Sequence, residues 1–440
     1  MDVDRALERL GPALRRELAR RIRAQARARE VFFYRRAGRR HYIPIALRPC
    51  LMARQQRRFL QRLCLALEWA SVEIFRSRWN DPALQALLPL SEGEERWLRD
   101  AYGERTRRPE TLFSRMDVSG ELFGPRWHRT MRVLECNLTS IGAAYYCWAA
   151  GRIAHQVVGP HVAGAAPEDD LLEMIVRRCI AHGAKIGRPR PTIAFVQDAR
   201  TRRGTYEFPT MCRLLNARGY RTLTADPADL RVRRDRLLAR DERVDIVYRD
   251  PTLAELTALE AAGDDLSGLR WAFRRNRVVS SLAGEVDHKA LLELLPARVP
   301  SWVRPYLPWT RALRPGRATD PAGREVDLAD YVVRRRRRLV LKPNREYGGH
   351  GVMIGARATP AAWAARVAAW TARPGTGVVQ ECSPLRRLRL PLMRGAAYVV
   401  GGVHATEYGV ATLARFSREP VVNITRGGGI IAVLVKDERR

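Results

Sequence analysis

The spacing of hydrophobic positions changes along this chain, and the changes divide it into sections. From Arg54 to Arg76, Leu60, Leu63, Cys64, Leu67 and Phe75 recur at intervals near three and four, the period of a helix with one buried face. Residues 1–30 have helical composition with many arginines, so residues 1–110 read as a helical N-terminal section. From Thr111 the period falls to two. Leu112 to Val118 and Met131 to Asn137 both alternate, with Gly120 and Gly124-Pro125 between them, which predicts two antiparallel strands joined by a loop. A helix from Ala143 to Val158 follows, closing a section over 111–165.

Pro189-Arg190-Pro191 opens another unit, within 166–275. Strands at Thr192–Val196, Tyr220–Thr224 and Val244–Tyr248, with a helix from about Tyr206 to Arg218, predict a small parallel α/β domain. It carries no G-x-G-x-x-G, so it is not read as a dinucleotide site. In the last section, 276–440, Asp287-His288-Lys289 opens a predicted amphipathic helix. Arg334 to Arg338, five arginines in a row, reads as a solvated face or edge. Beyond it, strands are predicted at Leu339–Pro343, Val352–Ile354, Val378–Glu381, Ala396–Val403 and Gly409–Ser417, with a tight loop at Gly348–Gly351 and a helix at Ala361–Trp370.

Composition adds three constraints. With 440 residues, 46% of them hydrophobic, the chain can bury two or three cores. The net charge of +32 looks at first like a nucleic-acid footprint, but only four of the 79 basic residues are lysines and the arginines run from Arg5 to Arg440. That spread fits a general preference for Arg over Lys, so no specific nucleic-acid partner is expected beyond weak polyanion sticking at low salt. It also makes a lysine inside a motif more informative. The seven cysteines form no C-x-x-C pair and read as reduced thiols, and no run of 18 apolar residues exists, so a cytoplasmic protein without membrane spans is expected.

Three groups of residues can carry chemistry. Glu135 and Asn137 are two apart on one strand and share a face, and a neighbouring strand can bring Asp117 beside them. Three hard oxygen donors suit Mg²⁺. Arg115 lies on the same face as Asp117, an arrangement tolerable beside a metal if phosphate oxygens lie between. The second group is Lys342 with Tyr347-Gly348-Gly349-His350-Gly351: glycines let backbone N–H groups close on phosphate, and a strand-borne lysine can reach the same anion. The third is Lys289, together with Gln380-Glu381, which can offer hydrogen bonds to an adenine edge. The eight histidines show no H-E-x-x-H and no Ser-His-Asp set, and neither a P-loop nor a kinase signature occurs.

In their order along the chain, these pieces resemble the circularly permuted ATP-grasp ligases, a group similar in layout to glutathionylspermidine synthetase. The matching segments are Arg115-Met116-Asp117, Glu135 to Ser140, Val244 to Arg249, Asp287-His288-Lys289, Leu341-Lys342-Pro343 with Tyr347 to Gly351, Val379-Gln380-Glu381, and Ala414 to Ser417 with Asn423 and Gly427 to Gly429. The resemblance spans residue 111 to the C-terminus. It implies an α+β ATP-grasp fold whose metal-binding part, 111–165, precedes its lysine and glycine-loop part, 276–440, with a pre-ATP-grasp α/β domain between them and the helical section in front.

The same resemblance implies Mg²⁺ on Asp117, Glu135 and Asn137, and ATP phosphates on Lys289 and Lys342. The loop Tyr347, Gly348, Gly349, His350 and Gly351 would cover those phosphates, and Gln380 and Glu381 would face the adenine. Arg115 and Arg415 would act on the transferring phosphoryl group. The implied activity is ATP-dependent amide formation between a small-molecule or peptide carboxylate and an amine through an acylphosphate. Positive clefts would favour an acidic donor. A non-catalytic nucleotide- or peptide-binding relative is the alternative expectation.

Overall fold

The computed structural model describes residues 3–34, 38–103, 108–198, 200, 204–205, 207–424 and 427–436. In the front section, α1 (Pro12–Ala28) buries Leu18, Ile22 and Ala26, four apart, and turns its arginines outward. Two short strands follow, β1 (Phe32–Tyr34) and β2 (Arg40–Tyr42), paired antiparallel. The front section is therefore not helical throughout, because the run Phe32-Phe33-Tyr34 suits a pleated, half-buried surface better than a helix. The long helix α2 (Arg54–Arg78) buries the expected stripe, Leu60, Leu63, Cys64, Leu67 and Phe75, within the largest core.

Next come β3 (Arg115–Ser119) and β4 (Arg132–Asn137), the antiparallel pair read from the alternation, with Asp117 opposite Glu135 and Arg115 opposite Asn137. Gly120 ends β3 at φ 95°, and a Cβ there would lie 2.4 Å from the Thr130 carbonyl oxygen, so this return needs glycine. Helix α3 (Ala144–Val157) follows a left-handed Ala143.

The middle of the chain supplies β5 (Ile193–Val196), α4 (Phe208–Asn216), β6 (Thr222–Ala225), β7 (Ile246–Arg249), α5 (Leu253–Ala261) and β8 (Val278–Val279). The sheet order is β8-β7-β5-β6 and every neighbouring pair is parallel, as strand-helix-strand order dictates. The Tyr206 start expected for α4 lies outside the described residues.

The final part holds two sheets. The first is built from β9 (Thr310–Ala312), β10 (Leu339–Pro343), β11 (Met353–Ile354) and β12 (Gly377–Glu381), with α6 (Pro360–Thr371) preceding β12. Its order is β9-β12-β10-β11, and Leu339, Leu341 and Val379 pack on Trp363 and Val367 of α6. The second contains β13 (Ala396–Thr406), β14 (Gly409–Ser417) and β15 (Gly429–Ile431), joined to the early hairpin in the order β15-β14-β13-β3-β4. Strands from distant parts of the chain thus share one sheet. Among the described residues, no helix is long and apolar enough to cross a membrane.

Candidate functional site

One face of the β3–β4 hairpin carries Arg115, Asp117, Glu135 and Asn137, because facing pairs in an antiparallel ladder put their side chains on the same side. Asp117 is 4% exposed and lies between two arginines: Arg115 Nε donates to Oδ1 at 2.9 Å, and Arg415 Nη2, from β14, stands 2.6 Å from Oδ2. Burial works against its charge, but Arg115 and then Arg415 hold the carboxyl well below the usual carboxylate range. Register explains the convergence: Asp117 faces Gly402 of β13, Gly402 faces Leu413 of β14, and Val400 faces Arg415. A Cβ on Gly402 would lie 2.8 Å from Arg115 Cδ and 3.1 Å from Asp117 Oδ1. The missing side chain makes room for the arginine–aspartate cluster.

The opposite wall comes from β10, β12 and the turn before residue 291. Lys342 Nζ donates to Gln380 Oε1 at 2.8 Å and to the Leu134 carbonyl at 3.0 Å. Burial lowers its ammonium to about 8; Glu135 opposes the shift and Lys289 adds to it. Lys289 Nζ donates to the Glu346 carbonyl at 2.7 Å, with Glu135 Oε2 3.6 Å away and the Tyr347 ring beneath it at 5.7 Å.

Neighbouring residues wire the Asp287-His288-Lys289 segment in place. Asp287 accepts from Leu138 N at 2.8 Å, His288 Nε2 meets the Pro89 carbonyl at 2.9 Å, and Lys289 N donates to the Asn344 carbonyl at 2.9 Å. Burial pushes Asp287 up to about 7. Just before it, Glu285 pairs at 2.6 Å with the fully buried Arg249 at the end of β7, tying the turn to the parallel sheet. Lys289 itself sits in a turn. The helix expected from it is one turn, Leu291–Leu294, passing into a 3-10 turn at Pro296, where proline denies the helix an N–H.

The two walls enclose a cavity of about 840 Å³. Arg115, Asp117, Glu135, Asn137, Lys289, Lys342, Tyr347, Gly348, Gly349, Gln380 and Arg415 line it. His350, Gly351 and Glu381 are not among its lining residues. For Glu381 the reason is the strand period: Gln380 shares a face with Lys342 and Val340, so the next residue points away. The glycine loop lies against the 421–423 segment. Gly348 (φ 68°), Gly349 (φ 72°) and Gly351 (φ 67°) are left-handed, and a Cβ on Gly349 would meet Val421 Cγ1 at 2.4 Å. Of the five consecutive arginines, Arg337 lines the cavity, Arg336 donates to the carbonyls of Gly355 and Ala358, and the other three are exposed.

Six cations and four carboxylates line the cavity, a balance suited to a polyanion. Among the described residues, no group of three or more His, Cys, Asp or Glu is placed to hold a metal. The expected set differs in kind, being two carboxylates and one amide. Asn137 Nδ2 donates to the Arg115 carbonyl at 3.1 Å, which leaves its oxygen as the remaining donor atom beside Glu135, and carboxylate and amide oxygens suit Mg²⁺. The donor types fit, although Asp117 would share its oxygens with two guanidinium groups.

Two contributors escaped the sequence reading. Gly402 is one, and it sits in an ordinary strand with no motif around it. The other is Glu207, 2% exposed, whose carboxylate accepts from Ala143 N and Tyr145 N, both at 2.6 Å, at the start of α3. Burial lifts Glu207 to about 7.

No protein-family profile matches this chain, and neither does any curated protein. Among solved structures, it is similar to the apo form of a glutathione synthetase-like effector, GSS30, from Globodera pallida, with 11% identity, 97% of this chain and 98% of that one covered, and a TM-score of 0.57. The likeness extends over nearly the whole of both chains and is one of fold: a mixed α/β chain arranged like a glutathione synthetase-like protein.

Proposed function

We propose that this chain is an ATP-dependent carboxylate-amine ligase of the circularly permuted ATP-grasp type. One observation carries the reading: Lys289 and Lys342 line the same cavity as Arg115, Asp117, Glu135, Asn137 and Arg415, although the chain places the two groups far apart. Residues 111–165 and 276–440 are then the two parts of the ATP-grasp unit, residues 166–275 the pre-ATP-grasp domain, and residues 1–110 an added wall. Acidic hairpin before lysine strand is the order that makes the unit permuted.

In this reading the adenine lies near Val340, Ile354 and Gln380, and Lys289 and Lys342 neutralise phosphate oxygens as mobile point charges. Asp117, Glu135 and Asn137 would hold Mg²⁺, which supplies positive charge against phosphate oxygens. Arg115 and Arg415, fixed by Asp117, present guanidinium N–H groups to charge developing on the transferring phosphoryl group. The donor's carboxylate oxygen attacks the γ-phosphorus, the bond to the β-phosphate oxygen breaks and ADP leaves. An amine nitrogen then attacks the acyl carbon, the carbon–oxygen bond to phosphate breaks, and phosphate and a proton are released. The loop Tyr347 to Gly351, of which Tyr347, Gly348 and Gly349 line the cavity, would keep out the water that hydrolyses an acylphosphate.

The test is ADP release across a panel of carboxylates and amines, with product masses measured. Glu135→Ala and Lys342→Ala are expected to abolish it with folding unchanged; turnover like that of the parent in either variant rejects the assignment. A nucleotide- or peptide-binding module without turnover is favoured by one feature, the double pairing of Asp117. It predicts ATP binding with no ADP release from any acid and amine.

A further inference from the structure

Besides its charged groups, the cavity is lined by two apolar sets of residues, one on the lysine sheet and one beside the hairpin arginines, each taken as one end. At one end are Val340 and Ile354, on the sheet that carries Lys342 and Gln380, together with Val352 and Ala356. At the other are Phe33, Ile43, Ala143, Tyr146, Leu413 and Ile424. These six belong to one larger apolar cluster and come from four separate chain segments: the front hairpin, the start of α3, β14 and the 420–424 segment. The front hairpin is pinned there by the backbone, since Ile430 N donates to the Pro44 carbonyl at 2.8 Å and Ala46 N to the Ile430 carbonyl at 2.8 Å.

This second end adjoins the reacting groups. Leu413 lies two residues before Arg415 on the same face of β14, and only the side-chain-free Gly402 separates it from Asp117 across the sheet. Arg115 Nη1 donates to the Gly142 carbonyl at 3.2 Å, next to Ala143 in the wall of the apolar end. A molecule whose carboxylate meets Arg115 and Arg415 has the remainder of its body beside Leu413, Ala143 and Tyr146.

We infer that the second apolar end is the carboxylate-donor subsite, and that it selects acids with an aromatic or branched aliphatic body over acidic or hydroxylated ones. The inference rests on the ligase reading above. The donor's carboxylate and the nucleotide's phosphates answer the cations, so no second anionic group on the donor is called for. Burying that body in place of water supplies binding energy against Phe33, Ile43, Leu413 and Ile424, where a hydroxyl or carboxylate would exchange water for apolar side chains. The front section, which matches no motif, acquires a role: Phe33 and Ile43 set donor specificity.

The test isolates donor activation from the amine. The purified full chain is given ATP, Mg²⁺ and hydroxylamine with one acid at a time. Attack of the hydroxylamine nitrogen on the acylphosphate carbon displaces phosphate, releases a proton and leaves a hydroxamate that is measured. Phenylalanine, 3-phenylpropanoate and leucine are expected to form hydroxamate at least tenfold faster than aspartate, glutamate or serine. Aspartate, glutamate or serine matching or exceeding them overturns the inference while leaving the ligase reading standing. ATP binding without hydroxamate from any acid overturns the ligase reading and the inference with it.

Ile43→Ala and the half-buried Ile424→Ala are expected to raise KM for the preferred acid about tenfold, on the scale of methylene discrimination in apolar pockets, with ATP affinity within about twofold of the parent. An unchanged KM in both folded variants also overturns the assignment.

Discussion

The hairpin wall and the lysine wall of the cavity satisfy their charges in different ways. On the hairpin wall, Asp117 is matched by two arginines whose positions follow from sheet register, and the three side chains are between 5% and 13% exposed. On the lysine wall, Lys342 is met by a glutamine oxygen and a carbonyl, and Lys289 by a carbonyl, with Glu135, Asp117 and Asp287 as counter-charges at longer range. On one wall the buried carboxylate is already paired, by two guanidinium groups placed through sheet register. On the other, the ammonium groups of Lys289 and Lys342 donate to neutral oxygens, so their charge remains available to a ligand. The contrast suits a site in which arginines stay fixed while lysines take hold of an incoming anion.

Asp117→Ala should break the comparison most severely. It leaves Arg115 and Arg415 buried without their partner, at a cost of about 3–5 kcal/mol, read from denaturant unfolding at neutral pH. Lys342→Met is the mirror experiment. Removing an ammonium that burial already disfavours should leave stability within about 1 kcal/mol of the parent or above it, while ATP affinity by calorimetry falls about 10- to 100-fold. Equal destabilisation by the two substitutions would show that the walls do not differ. Gly402→Ala should sharpen the picture at smaller amplitude. The added methyl crowds Arg115 and Asp117, for a loss of about 1–3 kcal/mol and a fall in ADP release with ATP binding retained.

The smallest effect is in pH dependence, and the two walls respond at opposite ends of the scale. Asp117 titrates below its unfolded value of 3.8, so its contribution is fully present above that pH and disappears on acidification. Lys342 titrates at about 8 against 10.5 unfolded. Between those values the folded chain holds fewer protons, so stability rises with pH through that window. Denaturation midpoints at pH 8 and pH 10 should show this rise in the parent and less of it in Lys342→Met.

Much of the candidate site was legible in the sequence where one element supplied two of its members. Glu135 and Asn137 share a face because they are two apart, and Lys342 alternates with Leu341 for the same reason. The same rule shows why Gln380 and Glu381 part company, a consequence available from the strand period alone. The front section was less legible: Phe32 to Tyr34 forms a strand, and nothing in its local pattern connects Phe33 or Ile43 with residues near 143 or 413.

What the sequence alone determined is local. Hydrophobic period set the strand and helix identities of α2, β3, β4, β5 and β10, and residue chemistry marked the lysines, the carboxylates and the glycine loop, because period and chemistry are properties of neighbouring residues. Only the tertiary structure decided that β13 lies between β3 and β14, that Gly402 therefore leaves space beside Asp117, and that Arg415 reaches the carboxylate. Those choices rest on strand order and register between segments distant in the chain, and pairing across such distances is selected by the burial of the whole sheet rather than by any residue's neighbours.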